Sequence, residues 1–157
     1  VSFQSNLSIP TEFREYDKDD IRTQYAALCY RVVRDKTQVL LITSRGTKRW
    51  IVPKGWPMAK KAPHEAALQE AKEEGGVIGR ASAKPLGTYS YMKVLSNGDE
   101  VPCIGLLFPV RVRLLRAEYP EARERKRKWF SLKKAAKKVD EPELARMIRD
   151  FDPRQLR

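Results

Sequence analysis

The chain is poor in the residues from which many metal and nucleophile sites are built: 157 residues contain one histidine, His64, and two cysteines, Cys29 and Cys103. His64 follows Pro63 in what reads as a first helical turn, and is expected at the surface rather than as a base. The cysteines share no metal-ligand spacing and are too few for a disulfide framework, so buried free thiols in a reducing cytoplasm are expected. No apolar run approaches the roughly 18 residues of a membrane span, and the N-terminal stretch lacks the apolar core of a secretory signal. A cytoplasmic location without a membrane partner follows. Internal repeats are absent. So is any run of aromatic residues alternating with basic ones, which a stacking platform for single-stranded RNA would need.

Acidic residues are also scarce relative to basic ones: 20 Asp and Glu against 32 Lys and Arg give a net charge of +12. Much of the excess is local, since residues 111–138 carry twelve Lys and Arg against three Glu. Such a field attracts nucleic acid, anionic headgroups or a small ligand rich in phosphate. For any single lysine a solubilising role is the better reading, so charge names a partner class without choosing within it.

The length suits one domain, here read as residues 1–157 with an N-terminal arm (1–20) and a C-terminal helical tail (139–157). QYAALCYRVV (24–33) and QVLLIT (38–43) read as strands paired through a turn at Asp35-Lys36. SRGTK (44–48) reads as a loop in which Gly46 is free to take positive φ, and Arg49–Val52 as a short strand closed by Pro53. Pro63 suits a first helical turn, and Gly75-Gly76 a helix stop. Leu86–Val94 and Val101–Leu115 read as strands joined at Ser96–Asp99. Lys128–Leu132 reads as a short strand whose Trp129 and Phe130 anchor the core. SLKKAAKKV and EPELARMIRDF supply the last helices. The order describes an α+β domain.

Glu70, Glu73 and Glu74 stand at i, i+3 and i+4, one face of the predicted helix, with Ala67, Leu68 and Ala71 beside them facing the sheet. Two of the three lie in the last turn, against the helix dipole, and no cation follows four residues after Glu70 or Glu74. A hard divalent cation with oxygen ligands would reverse that account. Spacing alone is equally at home on a solvated face. The surroundings discriminate: Pro53-Lys54-Gly55 closes a strand, the helix returns beside it, and Lys54, Lys60 and Lys61 place cations where a phosphate chain needs them.

The stretch PKGWPMAKKAPHEAALQEAKEEGGV resembles the Nudix box, with Gly55, Glu70, Ala71, Glu73, Glu74, Gly76 and Val77 in register. It departs twice: Lys61 stands where the family has a loop Glu, and Gln69 where it has an Arg. The resemblance implies a mixed sheet sandwiched by helices (α/β/α) around a catalytic loop–helix–loop. It also implies hydrolysis of a P–O–P linkage with Mg²⁺ (Mn²⁺ being the alternative) at Glu70, Glu73, Glu74 and Gly55, and a later-loop acid such as Glu121 or Glu124 as a candidate base. Beyond the box, TQYAALCYR, QVLLITS, KRWIVPKG and RKRKWFSLKKAAKKV look most like the diphosphoinositol polyphosphate phosphohydrolase branch. That likeness implies a highly phosphorylated inositol or nucleotide substrate. Ser44, Arg45, Lys48 and Arg49 are the first candidates to bind it, joined by Lys54, Lys60, Lys61 and the Arg125–Lys128 cluster with Arg127 and Lys128.

Three alternatives stay open. One is a dinucleoside polyphosphate or nucleotide-sugar hydrolase of the same fold. Another is hydrolysis at an RNA 5′ end. The third is a catalytically weak module that binds RNA or a phosphorylated ligand through its basic face. Trp56 is read as either a stacking surface or a lid, and oligomeric state is not legible.

Overall fold

A computed structural model describes residues 9–156. β1 (Arg22–Val33) has no polar alternation because both of its faces are covered. Ala26, Leu28 and Tyr30 join Val39, Leu41 and Leu107 in one core. Tyr25, Ala27 and Cys29 join Leu40, Leu106 and Phe108 in the other. The helix α1 (Pro63–Gly75) covers the second core through Ala66, Ala67 and Ala71. The helices α2 (Leu132–Lys138) and α3 (Pro142–Arg149) cover the first through Ala135, Leu144 and Ile148. The α/β/α arrangement therefore follows from a sheet that is apolar on both sides.

The other strands are β2 (Lys36–Thr43), β3 (Trp50–Ile51), β4 (Lys54–Gly55), β5 (Val77–Ala81), β6 (Gly87–Val94), β7 (Glu100–Leu115) and β8 (Arg127–Ser131). The sheet runs β3-β2-β1-β7-β5, with β4 added on β1, β6 on β7 and β8 on β2. β1 and β7 are parallel, and the remaining pairs are antiparallel. β4 and the loop before β8 both reach α1, where Lys54 and Arg125 act on Glu74.

Several local expectations are corrected. The β1–β2 turn lies one residue earlier than expected, at Arg34-Asp35. Both take positive φ (52° and 67°), and Val33 pairs with Lys36. That two-residue turn matches the twist of the strands it joins. β5 has no counterpart among the strands read from sequence. Gly46 is not in the left-handed region; Lys48 is, at φ 55°. The loop closes through Ser44 N–H to Arg49 O (2.8 Å) and Lys48 N–H to Ser44 O (3.2 Å), so the reversal falls on residue 48. A Cβ at Gly46 meets nothing within 4 Å. Gly46→Ala is therefore expected to stabilise by about 0.4–1 kcal/mol through the unfolded chain. A lower melting temperature would show that position 46 needs glycine.

Of the N-terminal arm, residues 1–8 lie outside the described residues. The rest makes 3-10 turns at Thr11–Phe13 and Lys18–Asp20, with Phe13 buried. The tail ends in a further 3-10 turn, Pro153–Gln155. Among the described residues no helix is long and apolar enough to cross a membrane.

Candidate active site

The site begins at β4, where Gly55 pairs with Tyr25 of β1. A Cβ at Gly55 would lie 1.3 Å from Glu70 Oε2, so the glycine is a requirement of space: the Glu70 carboxylate lies against its backbone. Eight residues later Pro63 opens α1, and Glu65 accepts the Ala62 N–H at 2.9 Å. The helix ends on Gly76 at φ 68°, whose N–H reaches Lys72 O at 3.1 Å. Arg127 Nη1 donates to Gly75 O at 2.8 Å while its guanidinium sits 4.8 Å from the Tyr119 ring centre. Arg127, a candidate for phosphate, is thus engaged as a cap on α1.

On α1, Glu70 and Glu73 are partly buried and Glu74 is buried. Burial, then the charges of Glu74 and Glu73, push the Glu70 carboxyl up to about 8. Burial also raises Glu74, against the pull of Arg125 and Lys54. Glu121 joins the same field and raises both. It is brought there by its own N–H, which donates to Glu73 O at 3.1 Å. These carboxylates are crowded, Glu70 with no cation among the charges acting on it, and their oxygens are the donors a hard divalent cation takes. In charge and donor type the residues fit Mg²⁺. Among the described residues no three His, Cys, Asp or Glu side chains are already gathered into a metal site, so holding a cation requires the glutamates to draw together.

Beside the acids stands a basic wall. Arg125 Nη2 lies 3.8 Å from Glu74 Oε1, its Nε donates to Glu121 at 2.8 Å, and its Nη1 donates to Thr43 O at 3.0 Å. Lys54 lies with its ammonium 5.1 Å from the Tyr91 ring centre, and burial lowers its pKa despite Glu74. These groups line a cavity of about 480 Å³ between the β2–β3 loop and β6.

Of the sequence-derived candidates, Ser44, Arg45, Arg49, Lys54, Glu74 and Arg125 line this cavity, and Glu70 and Glu73 do not. Arg45 is drawn to Glu124 at 3.6 Å, and Arg49 to Asp140 at 3.1 Å. Lys48, Lys60 and Lys61 are exposed and not on its wall. Lys128 lines a separate cavity of about 630 Å³ with Lys134, Lys137 and Lys138. His64 sits 6.3 Å from the Phe108 ring. Trp56 lies between two cations, Arg22 at 5.9 Å and Lys93 at 5.8 Å. Among the cavity residues missed from sequence are Tyr91 and Lys93, read only as strand, and Glu141, read only as a helix start.

A mixed sheet between helices, carrying a strand–loop–helix that crowds carboxylates beside a basic cavity, defines the class as an α+β domain with an acidic helix face next to a cationic wall. Comparison with known proteins is in accord. The family model described as NUDIX domain matches residues 22–151. The chain is 31% identical to the mitochondrial Nudix hydrolase 13 of Arabidopsis thaliana over 150 residues, covering 83% of this chain and 74% of that protein. It is 31% identical to the diphosphoinositol polyphosphate phosphohydrolase 3-alpha of Mus musculus over 130 residues (82% and 75% covered). Among solved structures, a Nudix hydrolase from Nitrosomonas europaea aligns with TM-score 0.62 at 22% identity (82% and 86% covered). An Ap4A hydrolase from C. elegans aligns with TM-score 0.58 at 19% identity (82% and 94% covered), which speaks to the fold. The chain belongs to the Nudix family.

Proposed function

We propose that this Nudix hydrolase cleaves a P–O–P linkage in a small polyphosphorylated molecule, with Mg²⁺ held by Glu70, Glu73 and Glu74 beside the Gly55 backbone. The observation that carries the reading is the crowding of Glu70 and Glu74, both raised in pKa, next to a cavity walled by Lys54 and Arg125. The relatives bear names for two substrate classes, diphosphoinositol polyphosphates and a dinucleoside polyphosphate, and both are polyanions of the kind this wall attracts.

Bound there, a divalent cation supplies Lewis-acid charge neutralisation at the phosphate oxygens and acidifies water. The chain's own residues do the rest by position and charge. Arg125 and Lys54 steady the phosphate chain, and Arg125 keeps Glu74 and Glu121 in place. The proton of the attacking water would pass to an ionised carboxylate of this set, one of Glu70, Glu73 and Glu74 or the later-loop Glu121 or Glu124. In the same proposal residues 1–157 make one domain, and the reducing compartment that suits the free Cys29 and Cys103 is the cytoplasm.

Mg²⁺-dependent phosphate release from diadenosine polyphosphates and diphosphoinositol phosphates tests this. Glu73→Gln and Glu74→Gln are each expected to lower turnover by about 10²–10³-fold, as loss of a charge-stabilising group does. Unchanged activity in both variants would sink the metal assignment. A second reading, RNA binding without turnover, is favoured by the lysine-lined cavity at Lys128, Lys134, Lys137 and Lys138, which has no carboxylate on its wall. It predicts salt-sensitive affinity for generic RNA and no hydrolysis of either compound class.

A further inference from the structure

Gln38 of β2, Lys128 and Ser131 of β8, and Lys134, Lys137 and Lys138 of α2 wall the cavity of about 630 Å³. All four lysines are exposed, and among the described residues none forms an ion pair. Lys134, Lys137 and Lys138 stand at i, i+3 and i+4, so like charges are neighbours on one helix face, which weakens a helix. The helix dipole favours Lys137 and Lys138 in the last turn, but opposes Lys134 in the first and does nothing for Lys128 on the strand. The two uncharged polar side chains of the wall have their acceptors engaged. Gln38 Oε1 takes the Arg31 Nε–H at 2.8 Å, and Ser131 Oγ takes the Lys134 N–H at 3.2 Å. Among the described residues the Gln38 amide hydrogens and the Ser131 hydroxyl hydrogen have no partner. The side chains of this wall therefore offer donors and positive charge, and a ligand made of acceptors is what meets them.

Such a wall discriminates among anions. An anionic membrane binds through buried apolar side chains as well as charge, and among the described residues no exposed large apolar side chain lies on this wall. Phe130 is buried, and Arg31 covers the Trp129 ring at 4.2 Å. Protein interfaces are depleted in lysine and centred on apolar residues. Small-ligand sites enclose their ligand within mostly apolar walls, which exposed lysines do not do. Nucleic-acid interfaces, by contrast, are polar and strongly positive. No free aromatic face is present to stack a base, and no free side-chain acceptor to test for a 2′-hydroxyl. The phosphates alone can be read here.

We propose that this groove docks the phosphate backbone of a nucleic acid without regard to base or sugar, as a second function beside hydrolysis. Ala135 seats α2 on the first core and α1 lies on the second, so the sheet stands between the groove and Glu70, Glu73 and Glu74. Docking and turnover therefore proceed together, unlike RNA binding that replaces turnover.

Fluorescence anisotropy with single-stranded RNA and DNA oligonucleotides of one mixed sequence, using the full chain, tests this. Four lysine–phosphate contacts give a slope of about −2.8 in log affinity against log salt, and RNA and DNA should bind alike. Replacing Lys134, Lys137 and Lys138 together by Gln should flatten the slope to about −0.7 and weaken binding at low salt by at least about tenfold. Arginine at the same three positions should keep both. A control that replaces Lys18, Lys36 and Lys84 by Gln removes equal charge from exposed sites elsewhere and should leave the slope unchanged. Equal losses in the control and the groove variant overturn the inference, because diffuse charge then does the binding. RNA held far tighter than DNA overturns it too, as does displacement of the oligonucleotide by polyglutamate of equal charge, which would mark a groove for acidic proteins. Excess oligonucleotide should leave Mg²⁺-dependent hydrolysis of diadenosine tetraphosphate unchanged, and competitive inhibition would contradict separate sites. Should wild type hydrolyse neither class of compound, the hydrolase reading falls, while the anisotropy series still decides the groove.

Discussion

Glu70→Gln is expected to abolish most turnover while making the metal-free protein more stable at pH 8. Burial and two neighbouring carboxylates raise the Glu70 carboxyl from 4.5 to about 8. Between those values the folded chain holds a proton that the unfolded chain has released. Stability therefore falls as pH rises through that window, and the loss is complete above about 8. Glutamine keeps the shape against the Gly55 backbone and removes the charge. Glu70 is only half-buried, so solvent screening trims the gain to about 1 kcal/mol, or about 2–4 °C in melting temperature for a chain of this size. Mg²⁺ should reverse the order. Saturation at about 100 times Kd stabilises wild type by about 2.7 kcal/mol, and the variant by clearly less. Turnover should drop by about 10²–10³-fold. Thermal melts at pH 5 and pH 8, with and without Mg²⁺, read all of this. A variant less stable than wild type at pH 8 without metal would contradict the account of a crowded carboxylate.

Much of this architecture is legible in the residues because burial leaves a periodic trace. QYAALCYRVV reads as a strand rich in apolar residues, and the structure shows why: Ala26 and Ala27 belong to opposite cores. The stop at Gly75-Gly76 is legible because only a residue tolerant of φ 68° fits there. β5 was illegible for a physical reason: VIGRA is five residues long, follows a helix stop directly, and is broken by a bulge between Ile78 and Gly79. At the site, sequence counts charges but not their destinations. Arg127 and Lys128 are neighbours in a basic run, yet one caps α1 and the other faces a separate cavity. Lys60 and Lys61 flank the motif in sequence and lie on its outside. Glu141 was invisible because a glutamate before Pro142 is what a helix start ordinarily carries.

Arg125 is where the largest loss of stability is expected. Its side chain is 9% exposed and that of its partner Glu74 is 7% exposed. The guanidinium serves Glu74, Glu121 and the Thr43 carbonyl together, tying α1, the loop before β8 and β2. Arg125→Met keeps much of the apolar stem and strands two carboxylates. Removing one partner of a buried ion pair destabilises by about 3–5 kcal/mol, or roughly 10 °C here. The size must depend on pH, and its sign follows from Glu74. Arg125 is the main group holding the Glu74 carboxyl down against burial, so in its absence Glu74 protonates at higher pH still. At pH 5 the stranded group is neutral and the loss is small; at pH 8 it carries a charge, or gives up the fold to regain one, and the loss is greatest. Adding Glu74→Gln to Arg125→Met should recover part of the deficit at pH 8 and little at pH 5, because it removes the stranded charge in advance. A deficit that is equal at both pH values, or untouched by the second substitution, would mean that Arg125 acts through packing and the Thr43 contact alone. The cavity wall would then owe its order to β8 rather than to charge.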